Sequence, residues 1–208
     1  MKVYFVQIAL AGLVSVAIGC TSAPVRYYTL TPPPDKASAV SETTFPIDVR
    51  VVHTPSQLNR SELMVRTGPT EFTLLENERW ASPVNDELKD AVRLELQRRL
   101  SRTAGLRPAF AKLALDIDVR QLEAELEQHA LLVASWSASL SATAPHSADA
   151  RATNCTFQAD ERIRGGYAGI VEGYQREIAA LADAIVAVLT NPAMDIGAPC
   201  PISIEKNH

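Results

Sequence analysis

Hydrophobic and polar residues alternate along the chain with two different periods, which predict strands in some stretches and helices in others. A period of two marks six stretches as strands: residues 47–52, 63–66, 72–75, 113–126, 130–142 and 152–163. Short gaps between the first three predict antiparallel neighbours, because parallel pairing needs a long crossover. Within 113–126 the apolar parity shifts at Leu122, as a β-bulge would produce. A hairpin near Glu127 and Gln128 would then join the two longest strands, although the stretch from Gln121 also contains good helix formers.

Two further stretches follow a period of 3.6 residues and predict amphipathic helices. The first, 84–100, begins after Ser82, which can accept hydrogen bonds from free amides, and Pro83, which suits the first helical position. Glu87 falls on its polar side. The second helix covers about residues 167–189, after a glycine-rich turn. The order βββα-βββα predicts an α+β fold, with a mainly antiparallel sheet and two long helices packed on one face.

The N-terminus carries an apolar stretch that ends in a cysteine. Lys2 precedes an almost uncharged run over 3–18, which is shorter than the ~20 residues that a membrane span needs and is typical of a secretory signal peptide. A small residue directly before Cys20 indicates a lipoprotein signal peptide over residues 1–19, with the Cys20 thiol lipidated. Ala17 stands where such sequences usually have Leu. An ordinary signal peptide with an incidental cysteine is the alternative.

Composition divides the remaining chain into three parts. Residues 20–45 are predicted to be the lipidated N-terminus and a tether, because Thr31 to Thr44 is rich in Pro, Ser and Ala like an extended spacer. Residues 46–190 are predicted to form a single α+β domain. A C-terminal tail follows over residues 191–208.

The charge and the cysteine content of the chain argue against a nucleic-acid-binding protein and against a metal-binding protein. Without residues 1–19 the chain has 19 Lys and Arg against 24 Asp and Glu, a net charge of −5, and no clustered basic face for nucleic acid. If Cys20 is lipidated, Cys155 and Cys200 remain as a pair in an oxidising compartment. Either a disulfide or two separate thiols fits their spacing. No cluster of His and Cys occurs at ligand spacing, so no metal or other cofactor is predicted.

The sequence shows no pattern of a known catalytic site. There is no Gly-x-Ser-x-Gly elbow, Walker loop or His-Glu-x-x-His motif. Asp116 and Asp118 lie two residues apart on a strand and form a candidate carboxylate pair, but a solvated strand face explains them better. We therefore predict that the protein is not an enzyme.

Three aromatic residues have two interpretations each. Trp80, beside Arg79, either packs the first helix onto the sheet or belongs to a contact surface, where Trp and Arg are frequent anchors. Tyr27 and Tyr28 either pair as a short edge strand on the domain, which is favoured, or lie at the membrane interface.

Two motifs are specific in combination. A lipobox cysteine is followed by Tyr-Tyr-x-Leu at 27–30, and the run Asn77-Glu78-Arg79-Trp80-Ala81-Ser82-Pro83 leads into the first helix. With these motifs the chain resembles the ABC-type transport auxiliary lipoproteins, the PqiC/YmbA-like family, over most of the mature chain to about residue 190. It departs from the family pattern at Ser82, where relatives often have an acid, at Val84, where Leu is usual, and at Ala17.

The resemblance implies a palmitate-bearing periplasmic lipoprotein without catalytic residues. It implies the outer membrane, because Thr21 and not Asp follows the cysteine. Family members serve MCE-domain (mammalian cell entry) lipid transport systems with an ABC transporter or related inner-membrane protein, and the implied role is docking of the MCE assembly. We expect Tyr27, Tyr28, Arg79 and Trp80 to contact that partner. The alternative is a periplasmic lipid-binding carrier with its own apolar cavity between sheet and helices.

Overall fold

One mixed sheet and two helices make up the part of the chain that the structure, a computed structural model, describes. That part comprises residues 23–33, 46–101, 110–142, 151–190, 200 and 203–206. The strands are β1 (Arg26–Tyr28), β2 (Ile47–His53), β3 (Glu62–Gly68), β4 (Glu71–Trp80), β5 (Phe110–Glu125), β6 (His129–Ala142), β7 (Arg151–Arg162) and β8 (Ser203–Lys206). The helices are α1 (Val84–Leu100) and α2 (Gly166–Thr190), and Ser56–Leu58 form a short 3-10 helix. The predicted α+β fold and the βββα-βββα order are confirmed, with β1 and β8 added at the two ends.

The sheet has the strand order β1-β4-β3-β5-β6-β7-β8, and β2 pairs with β5 beside this path. The pairs β3–β4, β5–β6 and β6–β7 are antiparallel and include the longest ladders. The pairs β1–β4, β2–β5 and β7–β8 are parallel, and β3 touches β5 in parallel at Arg66 and Glu125. Most paired residues therefore belong to antiparallel ladders, as predicted, although the sheet is mixed.

The prediction that the first three strands are antiparallel neighbours holds for β3 and β4 and is wrong for β2. Strand β2 pairs in parallel with the first half of β5, with Val49 opposite Leu115. Parallel pairing needs a crossover, and β3, β4 and α1 together provide it. The short gap between β2 and β3 made them candidate neighbours but could not show which strand β2 would join.

One face of the sheet is apolar and packs against both helices. On β5 the side chains of Leu113, Leu115, Ile117 and Val119 are buried, and the register shift between Val119 and Gln121 confirms the predicted bulge. The hairpin between β5 and β6 also lies where predicted, with Gln128 N donating to Glu125 O at 3.0 Å. The polar residues that alternate with these buried residues along β5 point to the opposite face of the sheet. We call that face the open face.

Both helices lie on this apolar face and contact each other. Helix α2 buries a stripe that contains Ile170, Ile178, Leu181 and Ile185. It begins in a turn at Gly165, whose φ of 93° is a left-handed conformation that favours glycine. Neither described helix is both long enough and apolar enough to cross a bilayer.

Candidate functional site

Residues 26–30 are fastened to the folded domain through backbone and side chains. Strand β1 pairs in parallel with the end of β4, and Tyr28 lies opposite Trp80. Arg26 Nε donates to a carboxylate oxygen of Glu78 at 2.9 Å, and the Tyr28 hydroxyl donates to the same oxygen at 2.7 Å. Glu78 is buried, and the hydrogen bond from Arg26 holds the pKa of its carboxyl below the ordinary value. A residue of the N-terminal segment thus neutralises a buried carboxylate.

A second buried carboxylate, Glu87 in the first turn of α1, binds the same segment. Its Oε2 accepts hydrogen bonds from Thr29 Oγ1 at 2.7 Å and from the backbone N–H of Leu30 at 2.8 Å. Ser82 Oγ donates to Oε1 at 2.8 Å. The prediction that Ser82 caps the helix amides is therefore wrong, since its hydroxyl is engaged by Glu87. The placement of Glu87 on the polar side is also wrong, because Leu30 and Ser82 cover it.

Helix α2 supplies the remaining contacts. Gln175 Nε2 donates to the backbone oxygen of Thr29 at 3.0 Å, and the Arg26 guanidinium lies 5.9 Å from the centre of the Tyr167 ring. We refer to residues 26–30, together with Glu78, Glu87 and Gln175 that hold them, as the N-terminal seat. It joins the segment after the predicted lipidation site to β4, α1 and α2 at once.

The N-terminal seat corrects the predicted domain organisation. The sheet begins at β1, so the domain includes part of the predicted tether over 20–45 and does not start at residue 46. The Pro-, Ser- and Ala-rich segment connects β1 to β2 of the same sheet and cannot act as a spacer between Cys20 and the domain. The predicted signal peptide, Cys20 and residues 34–45 lie outside the described residues.

The four residues predicted to contact a partner lie at one edge of the sheet but differ in exposure. Tyr27 is 67% exposed and Trp80 only 7%, while Tyr28 and Arg79 are half-buried. The Trp80 ring packs against Tyr174, with ring centroids 6.4 Å apart, which favours the packing interpretation. Strand β1 confirms that Tyr27 and Tyr28 belong to an edge strand of the domain. Contact with a partner stays a prediction for all four residues.

The two remaining cysteines lie together at the opposite edge of the sheet. The structure joins Cys155 of β7 to Cys200 by a disulfide, with Cα atoms 5.2 Å apart. Shortly after Cys200, β8 pairs in parallel with β7, so the predicted tail over 191–208 contributes a strand. Formation of this disulfide in the cell stays a prediction.

The open face carries a groove of about 440 Å³ across β5, β6 and β7, lined by polar side chains together with Ile117, Trp136 and Cys155. Two rows of residues in register line it: Asp116, Ser137 and Asn154, then Asp118, Ser135 and Thr156. Arg50 Nη2 lies 2.6 Å from Asp116 Oδ1, and Arg120 Nε lies 3.8 Å from Asp118 Oδ2. The candidate carboxylate pair is thus divided between two arginines, as expected of a polar strand face.

A third buried glutamate lies between α2 and the sheet. Glu177 is completely buried, and neither of its oxygens makes a hydrogen bond of ordinary geometry with a described residue. Burial, and then the charge of Glu161, raises the pKa of Glu177 to about 9, which outweighs backbone groups near Leu132 and Glu161 that favour the charged form. The carboxyl is therefore protonated at neutral pH.

Glu78, Glu87 and Glu177 are three of the five buried glutamates among the described residues, and sequence reasoning missed them, yet the last two carried a signal. Glu87 lies between Val84 and Leu88, three and one positions away on the buried stripe of α1. Glu177 has the same relation to Tyr174 and Ile178 on α2. An acid at such a position indicates either a buried partner, as for Glu87, or a neutralised carboxyl, as for Glu177.

A family model and one solved structure of similar fold relate this chain to known proteins. A family model described as an ABC-type transport auxiliary lipoprotein component matches residues 28–186. The crystal structure of an uncharacterized protein covers 81% of this chain and 100% of its own, with a TM-score of 0.59 and 15% identity, which shows similarity of fold. Protein XCC0632 from Xanthomonas campestris, of the DUF330 family, is 22% identical over 79% of this chain and 91% of its own, with a TM-score of 0.45. None of the curated proteins matches the chain.

Proposed function

The chain belongs to the family of ABC-type transport auxiliary lipoprotein components, and from this premise we propose that it docks a lipid transport assembly at the cell envelope. In this proposal Cys20 carries the lipid anchor, and the domain lies on the periplasmic side of the outer membrane. Its partner is the periplasmic end of an MCE-domain protein, whose inner-membrane part is an ABC transporter or a related protein. The domain acts by contact and not by turnover.

The N-terminal seat is the observation that carries the proposal. It fixes the chain to the domain at Arg26, six residues after Cys20, and six Cα–Cα steps span at most ~22 Å. A spacer that ended at β2 would have allowed about 90 Å over the 27 steps from Cys20 to Ile47. An anchor this short holds the domain against its membrane, which suits a fixed docking platform better than a carrier that must move.

The carrier alternative requires an apolar cavity, for which the described residues offer little support. The cavity beside Trp80 and Tyr174, between the sheet and the helices, has a volume of about 10 Å³. Sites for small ligands usually have ~300–1,000 Å³. The larger groove lies on the open face, not between the sheet and the helices where the carrier would need its cavity, and charged and hydroxyl side chains line it together with Ile117, Trp136 and Cys155.

Purification of the intact lipoprotein from membranes with mild detergent tests the docking role. We expect an MCE-domain protein to co-purify in fixed proportion, and an unrelated lipoprotein with the same signal peptide, as control, to recover none. Recovery of the protein alone with stoichiometric bound lipid would favour the carrier.

Metabolic labelling with palmitate tests the anchor separately. The wild-type protein should incorporate the label and sediment with membranes, because the thiol of Cys20 is the predicted acceptor. The Cys20→Ser variant should incorporate none. Equal labelling of the two proteins would show that Cys20 is not the anchor.

A further inference from the structure

Exposed apolar side chains lie next to the proposed anchor. Among the described residues, four large hydrophobic side chains are exposed: Val25 (44%), Tyr27 (67%), Leu74 (40%) and Leu126 (38%). Two of these four lie within seven residues of Cys20. Their closeness to Cys20 in the sequence, and not their number alone, is what distinguishes them.

The alternation of β1 explains why these two side chains point away from the domain. Arg26 and Tyr28 both bind Glu78, so they face the helices. Successive side chains of a strand point to opposite faces, which puts Tyr27 on the other side, and Val25, directly before the strand, is also exposed. The N-terminal seat holds this strand in place, so the two side chains cannot turn inward.

The short chain between Cys20 and these two side chains determines which surface they can reach. Val25 and Tyr27 are five and seven Cα–Cα steps from Cys20, which span at most ~18 and ~25 Å. If Cys20 is acylated, its sulfur lies at the surface of the bilayer, and Val25 and Tyr27 are confined close to that surface. A contact confined in this way meets lipid at a very high effective concentration, so a small apolar patch is sufficient.

We propose that the β1 edge of the sheet, through Val25 and Tyr27, lies in the headgroup region of the bilayer that holds the acylated Cys20. This inference rests on the proposed function. Tyrosine is enriched at this depth because its ring is apolar and its hydroxyl is polar. The domain then has a fixed orientation, with β1 at the membrane and β8 at the far edge.

The charges around β1 fit a lipid surface. The side chains of Arg26 and Arg79 are 60% and 37% exposed, so each of these ion pairs presents its cation to solvent more than its carboxylate, and cations are attracted to anionic headgroups. The two carboxylates in register with them are compensated, since Glu78 binds Arg26 and Glu62 Oε1 lies 3.6 Å from Arg79 Nη2. Neither of these two acids would therefore repel an anionic lipid strongly.

A photo-reactive benzophenone amino acid in place of Tyr27 tests the orientation. The full-length protein is processed in cells, purified from membranes and reconstituted in vesicles of phosphatidylethanolamine and phosphatidylglycerol. The control carries the same group at Thr156, an exposed position of β7 that is five strand spacings, ~24 Å, from β1. We expect at least about tenfold more lipid adduct from position 27. A third protein with the group at Val25 should behave like position 27 and guards against misfolding of one variant.

The outcomes separate this inference from the proposed function. Mass spectrometry of the purified protein first establishes whether Cys20 is acylated. An unacylated Cys20 overturns the anchor and this orientation together. An acylated protein whose position 27 forms no more lipid adduct than position 156 overturns the orientation alone. Adducts from position 27 to an MCE-domain protein or a second copy of the chain would likewise overturn it and assign the β1 edge to that partner.

Discussion

Two buried glutamates on the helices, Glu87 and Glu177, differ in the partners that surround them. Glu87 accepts hydrogen bonds from a backbone amide and two hydroxyls at the start of α1. Glu177 faces the sheet, where burial and the charge of Glu161 outweigh the backbone groups near Leu132 and Glu161, so its carboxyl stays protonated. Glu87 therefore holds the N-terminal segment to α1, whereas Glu177 lowers the free energy of unfolding at neutral pH.

Replacement of Glu177 by Gln should stabilise the domain at neutral pH. The carboxyl of the unfolded chain ionises near pH 4.5, whereas the folded protein keeps its proton up to about pH 9. Between these values the folded state binds more protons, so the free energy of unfolding falls as pH rises. At pH 7 this amounts to up to about 3 kcal/mol, which the Glu177→Gln variant should regain.

Urea unfolding at several pH values between 5 and 9 measures this difference. The gap between the variant and the wild type should widen steadily with pH. Glu172→Gln, at an exposed position of the same helix, should leave the wild-type pH dependence unchanged. A constant gap across this pH range would show that Glu177 does not titrate as described.

Replacement of Glu87 by Ala should loosen the N-terminal seat. The change leaves the buried N–H of Leu30 and two hydroxyls without their acceptor, which costs about 1–3 kcal/mol. Urea unfolding, together with the rate of proteolysis near residues 29–33, measures the loss. Asp86→Ala is the matched control, because Asp86 is an exposed acid in the same helical turn. Equal losses in the two variants would assign the effect to the helix dipole.

At the scale of elements, the short strand β8 depends on a link formed outside its own sequence. Its four residues pair with the edge of β7, and Cys200 just before it is joined to Cys155. A strand of this length contributes few ladder bonds by itself. The disulfide limits how far β8 can move from β7, and we expect the two features to be lost together.

The Cys200→Ser variant should therefore be less stable and should release β8. A loop of 45 residues closed by a disulfide lowers the entropy of the unfolded chain, which stabilises the fold by about 4 kcal/mol. Thermal unfolding should show this loss, and hydrogen exchange should show faster exchange of residues 203–206. The wild-type protein under reducing conditions should match the variant. Unchanged stability on reduction would mean that the two thiols are not bonded.

At the scale of the whole molecule, the order of the strands along the chain differs from their order in the sheet. The chain leaves the proposed anchor, joins the far side of β4 as β1, and only then passes through residues 34–45 to β2. The segment that has the composition of a tether therefore lies between two strands of one sheet. Cutting it should not separate the domain from the membrane.

A protease site inserted within residues 34–45 of the acylated protein tests this arrangement. After cleavage the domain should stay in the membrane fraction, because the N-terminal seat still holds it, and urea should release it. The same site inserted between Ser22 and Ala23 should release the domain in native buffer. Release of the wild-type domain in native buffer after cleavage within 34–45 would show that the N-terminal seat does not hold it. In the Glu87→Ala variant, which weakens the seat, the cleaved domain should leave the membrane fraction faster than in the wild type.

The sequence alone predicted those features that depend on neighbouring residues. Alternation over residues 113–126 predicted β5 and its bulge, and the stripe over 167–189 predicted α2. The motifs around Cys20, Tyr27 and Trp80 identified the family. Each of these signals is local, because the period of a strand or helix is set by side chains a few residues apart.

The candidate site was only partly predictable, because its residues come from distant parts of the chain. Arg26 and Glu78 are 52 residues apart, and Thr29 and Glu87 are 58 apart. Tyr27 and Tyr28 were recognised as an edge strand, but nothing in their own segment indicated that β4 would bind this strand or that α1 would bind Thr29 and Leu30 after it. The composition of residues 31–44 predicted a spacer but could not show that the segment lies between β1 and β2.

The amino-acid sequence by itself determined most of the strands, both helices and the family to which this chain belongs. Tertiary structure decided that β2 joins β5, that Cys155 and Cys200 meet, and that residues 26–30 belong to the domain. The physical reason is that secondary structure follows from local periodicity, whereas strand partners and buried carboxylates depend on contacts between residues far apart in the chain. Such contacts form only once the whole core has packed.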